Sequence, residues 1–218
     1  MTTSDRVRGA YGARADEYIR LLGSVSALSP LDAARIHRWS VGVSGRILDA
    51  GSGPGHWTAY LDAAGSDVEG LDLTPAFVEH ARDTYPHVAY REGSILELPH
   101  ETASLGGVLA WYSLIHLDPD EVSAGLAEFS RVLVPGGSLL LGFFEGADEE
   151  FAHAVTTARF WSIDAMTRIL DDVAFDVIDA ETRQDPGARP HASIVARRRA
   201  QNDTGVTVPL SQSRRMMP

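Results

Sequence analysis

Apolar residues follow two patterns along this chain, and each pattern predicts one kind of element. Short, nearly continuous apolar runs predict buried strands at 46–50, 68–73, 88–91, 105–112, 138–144, 174–182 and 191–199. Apolar residues that recur every three or four positions predict helices at 5–22, 29–40, 57–64, 74–84, 118–133 and 162–173. Strands that alternate with helices in this way predict a parallel sheet with helices on both faces.

The last two predicted strands break this alternation. Only a short segment with the turn Asp185-Pro186-Gly187 joins them. A parallel crossover needs roughly a dozen residues or more, so we expect this pair to be antiparallel. The predicted fold class is therefore α/β, with a seven-stranded sheet that is mostly parallel and has one antiparallel strand. Residues 200–218 show no periodicity and predict a disordered tail after one domain at 1–199.

The composition excludes several kinds of chemistry. The 218 residues include 19 basic side chains, all of them arginine, and no cysteine. Without lysine the chain cannot form a catalytic Schiff base or supply a P-loop lysine. Without cysteine it has no disulfide, thiolate metal site or thiol nucleophile. No pair of histidines stands beside acids at a spacing that indicates a metal site.

The charge is distributed unevenly. The formal net charge is −11, although the segment 197–218 has more arginines than acids. The acidic remainder is expected to repel nucleic acid, which proteins bind mainly through cationic side chains. No apolar stretch reaches the roughly 20 residues that span a bilayer, and the first residues lack the apolar region of a signal peptide. We therefore expect a cytoplasmic monomer or homodimer that binds neither nucleic acid nor membrane.

The strongest local signal for ligand binding is ILDAGSGPG at 47–55. A buried strand that runs into glycines and then a helix lets a ligand approach bare backbone at a positive helix N-terminus. Dinucleotide-binding proteins place a third glycine at the position that is His56 here. Asp72 ends the second predicted strand, where a carboxylate can bind the ribose hydroxyls of several nucleotide cofactors. A nucleotide-cofactor oxidoreductase therefore stays open as an alternative.

Six segments of the chain together resemble one known family. They are YGARADEY at 11–18, LDAGSGPG at 48–55, GLDLTPAFVEHAR at 70–82, REGSILELP at 91–99, WYSLIH at 111–116 and EFSRVLVPGGSLLLGFFEG at 128–146. In this order and at these spacings they resemble the small, single-domain class I S-adenosylmethionine-dependent methyltransferases. The resemblance implies a Rossmann-like, doubly wound sheet, S-adenosylmethionine as cofactor and an N-terminal helical lid at about 5–40.

The resemblance also implies contacts between the cofactor and the ends of the first four strands. Asp72 is expected to hold the ribose, Asp49 to support the ammonium group through backbone or water, and Tyr11 and Tyr18 to close the lid. Many relatives have Asp where this chain has Ser94, which accepts a hydrogen bond without charge. The implied cofactor-binding residues are Tyr11, Tyr18, Asp49, Gly51, Ser52, Gly53, Asp72, Leu73, Gly93, Ser94, Ile95, Trp111 and Tyr112.

The implied reaction is in-line displacement of the methyl group by a small-molecule acceptor. His116 follows the fourth predicted strand, where it can act as a general base. The alternative to an enzyme is a non-catalytic module that binds S-adenosylmethionine. His191 starts the last strand without an evident role, and the histidines expected at the surface are His37, His56, His80, His87, His100 and His153.

Overall fold

The computed structural model describes residues 2–23 and 29–200, so the predicted tail from 201 onward lies outside the described residues. The helices are α1 (Thr3–Gly12), α2 (Ala15–Leu22), α3 (Pro30–Ser40), α4 (His56–Ala63), α5 (Pro75–Thr84), α6 (Pro119–Val132) and α7 (Ile163–Asp172). The strands are β1 (Ile47–Ala50), β2 (Val68–Asp72), β3 (Ala89–Glu92), β4 (Leu105–Trp111), β5 (Leu133–Phe144), β6 (Glu150–Phe151), β7 (Ala158–Arg159), β8 (Phe175–Arg183) and β9 (His191–Arg198). None of these helices has the length and apolar character needed to cross a bilayer.

The main sheet has seven strands in the order β3-β2-β1-β4-β5-β9-β8. Neighbours from β3 to β5 pair in parallel. β9 runs antiparallel to both β5 and β8. The predicted fold, with one antiparallel strand in an otherwise parallel sheet, is confirmed.

Alternate residues of the central strands enter two separate cores, because successive side chains of a strand point to opposite faces. Val108 and Ala110 of β4 pack with α6 and α7, whereas Leu109 packs with Ile36 and Trp39 of α3 and with α4. Residues on both faces of these strands are fully buried. This two-sided burial explains why the central strands are continuous apolar runs in the sequence.

Three elements differ from the sequence prediction. The expected helix at 5–22 is two helices, because Arg14 leaves the helical conformation with φ −124° and ψ 15°. β5 starts at Leu133, because the chain turns directly from α6 into the strand, and Pro135 lies inside β5 rather than before it. The two-residue strands β6 and β7 form a separate antiparallel ladder that the pattern did not predict, since such short strands show no periodicity.

Helix α3 belongs to the body of the fold. Ile36 and Trp39 are buried against the sheet. The buried guanidinium of Arg35 pairs with Glu181 of β8, at 2.9 Å between Nη1 and Oε1. Of the predicted lid segment, α3 is thus part of the body of the fold, although its Asp32 lines the cavity described below.

The C-terminal arginines are also part of the fold as far as residue 200. Arg199 pairs with Asp176, at 2.7 Å between Nε and Oδ1, and with Asp171. Arg198 donates a hydrogen bond to the carbonyl of Leu133. These contacts tie the end of β9 to α7 and β5, so the local excess of arginine has a structural explanation.

Candidate active site

A cavity of about 430 Å³ opens at the carboxyl edge of the parallel strands, beneath α1 and α2. This volume lies in the usual range for small-molecule sites, and the place is where α/β sheets bind ligands. Thirteen predicted site residues line it: Tyr11, Tyr18, Gly51, Ser52, Gly53, Asp72, Leu73, Gly93, Ser94, Ile95, Trp111, Tyr112 and His116. The remaining one, Asp49, does not line it.

The loop after β1 brings backbone to the cavity. Gly51 has φ +84°, and a Cβ atom there would lie 2.3 Å from Cβ of Ser113. Gly53 has φ +53° and no heavy atom within 4 Å of an added Cβ. Positive φ and the contact with Ser113 both require glycine at position 51, whereas the space beside Gly53 is open to a ligand.

Asp72 lies beside this loop and is held by backbone donors. Its Oδ2 accepts a hydrogen bond from the Gly53 N–H, and its Oδ1 accepts one from the Thr74 N–H, both at 2.8 Å. Burial raises the pKa of Asp72, while these two donors act in the opposite direction. Each carboxylate oxygen keeps a second lone pair that can accept from a ligand hydroxyl.

Asp49 lies under the loop instead of in the cavity. Its carboxylate is almost completely buried and accepts a hydrogen bond from the Thr58 hydroxyl, at 2.7 Å. Burial and, to a smaller extent, the nearby charge of Asp72 together raise the pKa of Asp49 to about 7. The expected support of a ligand by Asp49 can therefore only be indirect.

Three buried polar atoms beside the glycine loop have no hydrogen-bond partner among the described residues. They are Oγ of Ser52, Nδ1 of His56 and Oγ of Ser113, and all three residues line the cavity. The prediction that His56 lies on the surface is wrong: its exposed fraction is 8%. Burial lowers the pKa of His56 to about 4, so its imidazole is neutral. Buried polar groups ordinarily have partners, which marks this part of the cavity as a binding surface.

The wall after β2 and β3 is mainly apolar. Leu73, Gly93 and Ile95 line it. Ser94 also lines it, and its Oγ accepts a hydrogen bond from the Leu96 N–H at 3.2 Å. Ser94 therefore stabilises its own loop and still offers a hydroxyl proton to a ligand.

An aromatic cluster packs helices α1 and α2 against α5 at the edge of the cavity. The ring centroid of Tyr11 lies 5.5 Å from that of Tyr18 and 5.7 Å from that of Phe77 in α5, both edge to face. Tyr18 also contacts Phe77, at 5.2 Å. The break between α1 and α2 allows both tyrosines to reach one ring.

His116 links this cluster to the far side of the cavity. Its Nδ1 lies 2.8 Å from the carbonyl oxygen of Thr157, and its Nε2 lies 2.9 Å from the hydroxyl of Tyr11. A carbonyl can only accept, so Nδ1 carries the proton and Nε2 accepts from Tyr11. Burial lowers the pKa of His116 and raises that of Tyr11, so both groups are neutral.

The opposite end of the cavity has an aromatic end, defined as Tyr112, Phe144, His153 and His191. The Phe144 ring lies 5.0 Å from Tyr112, 6.0 Å from His153 and 6.2 Å from His191, between ring centroids. All four residues line the cavity. The Tyr112 hydroxyl forms a hydrogen bond with Nδ1 of His191.

Sequence reasoning missed most of this aromatic end. His153, expected at the surface, is half-buried and lines the cavity, and so does His191, for which the sequence showed no evident role. His191 pairs with Phe144 in the ladder between β9 and β5, so the predicted antiparallel pair contained a signal for it. His153 follows the short strand β6, and no pattern in the sequence indicates its position. His100, also expected at the surface, has a side chain only 8% exposed, beside Glu69.

Comparisons with known proteins agree with this arrangement. The family model described as a methyltransferase domain matches residues 47–137. The malonyl-[acyl-carrier protein] O-methyltransferase of Erwinia billingiae is 36% identical over 113 residues, which are 52% of this chain and 43% of that protein. The demethylmenaquinone methyltransferase of Chlorobaculum tepidum is 30% identical over 123 residues, 56% of this chain and 47% of that protein. The chain thus spans about half the length of the curated relatives it matches.

A solved structure supports the fold over most of the chain. The 1,6-didemethyltoxoflavin-N1-methyltransferase of Burkholderia thailandensis, with bound 1,6-didemethyltoxoflavin and S-adenosylhomocysteine, is similar with a TM-score of 0.74. The match covers 90% of this chain and 88% of that one, at 23% identity. Fold and family agree with the resemblance inferred from the motifs. The fold is that of the class I S-adenosylmethionine-dependent methyltransferases, and residues 47–137 match the methyltransferase domain model.

Proposed function

We propose that this chain is an enzyme that binds S-adenosylmethionine in the cavity and transfers its methyl group to a small molecule. The observation that carries the proposal is the position of Asp72 beside the loop of Gly51 and Gly53, where it accepts a hydrogen bond from the Gly53 N–H. One cavity thus contains two features that this cofactor needs. They are an acid that can accept hydrogen bonds from the ribose hydroxyls and a bare backbone that the rest of the cofactor can approach.

The side chains fit this cofactor in polarity as well as in shape. The unpartnered atoms of Ser52, His56 and Ser113 match a ligand end that carries both hydrogen-bond donors and acceptors, such as an amino acid. The apolar wall of Leu73 and Ile95 suits a flat base. Asp72 gives the region negative charge, to which Asp49, with its pKa of about 7, adds in part. This charge favours a ligand with a positively charged ammonium and sulfonium.

The reaction places modest demands on the protein. In it, a lone pair of the acceptor forms a bond to the methyl carbon, the carbon–sulfur bond breaks, and the sulfur keeps that electron pair in S-adenosylhomocysteine. The chain contributes orientation and exclusion of water, because the lid rings of Tyr11 and Tyr18 cover the cavity. An acceptor that loses a proton needs a base. Nε2 of His116 accepts from the Tyr11 hydroxyl, so the acceptor can give its proton to the Tyr11 oxygen while the Tyr11 proton passes to Nε2.

We assign this base role to His116, with the Tyr11 hydroxyl as its immediate neighbour. His116→Ala is expected to lower kcat about a hundredfold while the affinity for S-adenosylhomocysteine stays within twofold. The wild-type rate should also fall as the pH drops through the pKa of His116, which burial holds below the ordinary 6.5. If His116→Ala keeps the wild-type kcat and the same fall in rate at low pH, His116 only supports Tyr11 and is not the base.

The names of the relatives do not agree on an acceptor. One acts on malonyl-[acyl-carrier protein] and another on demethylmenaquinone. The solved homologue holds 1,6-didemethyltoxoflavin. We therefore propose only a small organic acceptor for this chain on the basis of the relatives, and take its chemical class from the cavity in the next subsection.

Two measurements test the proposed function. Isothermal titration with S-adenosylhomocysteine and with NAD is expected to show binding of the first alone; the reverse result would favour an oxidoreductase. Incubation of the protein and methyl-labelled S-adenosylmethionine with a metabolite extract should then transfer label to an extract component. Cofactor binding without any labelled product, under conditions where a known methyltransferase gives product, would favour a non-catalytic module.

A further inference from the structure

The part of the cavity away from the glycine loop has an unusual lining. Phe144 lies at its centre, with the rings of Tyr112, His153 and His191 at 5.0 to 6.2 Å between centroids. Behind Phe144 stand Phe151 and Phe160, at 5.3 and 6.4 Å from it, and these two do not line the cavity. Phe144 is thus held by rings from both sides while one part of its surface meets the cavity.

The charged groups of the lining are already compensated within the protein. Arg14 pairs with Glu17, at 2.8 Å between Nη2 and Oε2, and donates a further hydrogen bond to the Ala154 carbonyl. Asp32 pairs with Arg183 at 2.8 Å, and Asp72 accepts two backbone N–H groups. Among the described lining residues, no cation is left without an anionic partner, so an anionic acceptor would meet no free counter-charge in the lining itself.

The histidines of the aromatic end are neutral. Burial lowers the pKa of His153 to about 4 and lowers that of His191 as well. Burial also raises the pKa of Tyr112, so its hydroxyl stays protonated, and we assign it as the donor to Nδ1 of His191. The proton of His191 is then on Nε2. Nδ1 of His153 accepts a long hydrogen bond from the Val155 N–H, at 3.4 Å, which also leaves the proton on Nε2.

Neither Nε2 atom has a partner in the described ranges 2–23 and 29–200. The aromatic end therefore offers ring surfaces and two neutral N–H donors, but no net positive charge. A flat ring gains from edge-to-face and offset contacts with such surfaces, and an oxygen on that ring can accept from an imidazole N–H. An acceptor with a positive charge would instead be repelled by the sulfonium that must stand beside it.

We infer that the acceptor is a planar, uncharged aromatic compound with a hydroxyl or carbonyl oxygen, held against Phe144 with that oxygen near His153 and His191. This inference rests on the proposed function, because it concerns the second substrate of the same cavity. It excludes acceptors whose reacting part is a free carboxylate and acceptors that are quaternary or primary ammonium ions.

Four matched probes test this inference on the full chain loaded with S-adenosylhomocysteine. They are 2-naphthol, the saturated decahydro-2-naphthol, the anionic 2-naphthoate and tetramethylammonium, each titrated by calorimetry at pH 7.5. We expect 2-naphthol to bind about tenfold tighter than each of the other three. Equal binding of the saturated alcohol, tighter binding of 2-naphthoate or tetramethylammonium, or no binding of 2-naphthol would each overturn the inference.

The loading step separates this inference from the proposed function. If S-adenosylhomocysteine binds and the ring preference is absent, the inference fails while the proposed function stands. If S-adenosylhomocysteine does not bind, the proposed function fails and the inference fails with it.

Two substitutions locate the preference in the aromatic end. Phe144→Leu is expected to weaken 2-naphthol about fivefold, because an aromatic contact is lost, with the affinity for S-adenosylhomocysteine unchanged within twofold. Phe160→Leu is the matched control, since it removes a ring of the same cluster that does not line the cavity. His153→Phe keeps the ring, removes the N–H donor and should also weaken 2-naphthol about fivefold. Wild-type affinity in both cavity variants would overturn the inference, and the probe comparison on the unaltered chain stands even if a variant fails to fold.

Discussion

The two ends of the cavity are built in different ways. At the glycine-loop side, defined as Gly51, Gly53 and Asp72, backbone conformation and backbone N–H groups form the surface, and all three residues adjoin the ends of β1 and β2. At the aromatic end, side chains from β5, β9 and the segments after β4 and β6 form it. A backbone surface tolerates almost no substitution, whereas a surface of side chains can change one ring at a time. The glycine-loop side is therefore suited to a constant ligand and the aromatic end to a variable one.

The largest effect is expected when a side chain is added to the backbone surface. In Gly51→Val, positive φ and the contact at 2.3 Å with Ser113 act together, which should cost roughly 3 to 5 kcal/mol in overpacking and strain. Urea unfolding and titration with S-adenosylhomocysteine measure the loss of stability and of binding. Gly65→Val is the control: Gly65 has φ +91° but no heavy atom within 4 Å of an added Cβ. Similar losses in the two variants would show that strain alone, and not the close approach, makes position 51 sensitive.

The next effect concerns the buried acid beneath the same loop. The folded pKa of Asp49 is about 7 against an ordinary 3.8, so the native state binds more protons than the unfolded state between these values. The free energy of unfolding should therefore fall by about 3 kcal/mol as the pH rises from 4 to 7. Asp49→Asn removes this decline while an amide oxygen can still accept from Thr58. The measurement is urea unfolding of both proteins at pH 4, 5.5 and 7, and parallel curves would contradict the assignment.

A smaller effect is expected from the acid that faces the cavity. Asp72→Ala should weaken S-adenosylhomocysteine by about 1.5 to 3 kcal/mol, the usual scale for hydrogen bonds to a charged group. Part of the loss comes from the loop, since the Gly53 N–H loses its acceptor. Calorimetric titration gives the affinity, with Asp62→Ala as a control because Asp62 pairs with His87 outside the cavity. If Asp72→Ala binds S-adenosylhomocysteine with wild-type affinity, Asp72 does not bind the ribose.

The smallest effect is expected at the lid, which touches both ends of the cavity. Tyr11→Phe removes the hydrogen bond to His116 and keeps the ring contacts, so it should cost about 1 kcal/mol. Hydrogen exchange over 3–22, with S-adenosylhomocysteine present, should become about fivefold faster, while β1 and β5 stay unchanged. Tyr60→Phe is the control, because its hydroxyl donates only a long bond, 3.4 Å, to the Ala33 carbonyl. If the exchange rates over 3–22 are the same in the two variants, Tyr11 contributes only through the packing of its ring.

The same contrast explains what the sequence could predict. Gly51, Gly53 and Asp72 stand at the ends of strands with clear apolar runs, so motif and spacing could predict that they lie together at the cavity. The burial of Asp49 and His56 depends on neighbours brought together only by folding, so the sequence did not show that one lies under the loop and the other beside it. His153 depends on the short β6–β7 ladder, which is too small to produce a periodic pattern. For the aromatic end, only the antiparallel register of β9, which sets His191 opposite Phe144, could have been deduced in advance.

The antiparallel direction of β9 also decides where the surroundings of the aromatic end can change. Because β9 enters the sheet from the site edge, the β8–β9 turn at 184–190 lies over the aromatic end: the Pro190 carbonyl accepts from the Glu145 N–H at 3.0 Å, and Arg189 lies 4.6 Å over the Phe151 ring. A parallel crossover at this place would fix the connection with a helix. In a hairpin turn, each doubling of the number of loop residues costs only about 0.6 kcal/mol of loop-closure free energy. Loop grafting at 184–190 is thus the route by which acceptor scope can be redesigned without disturbing the register of any strand.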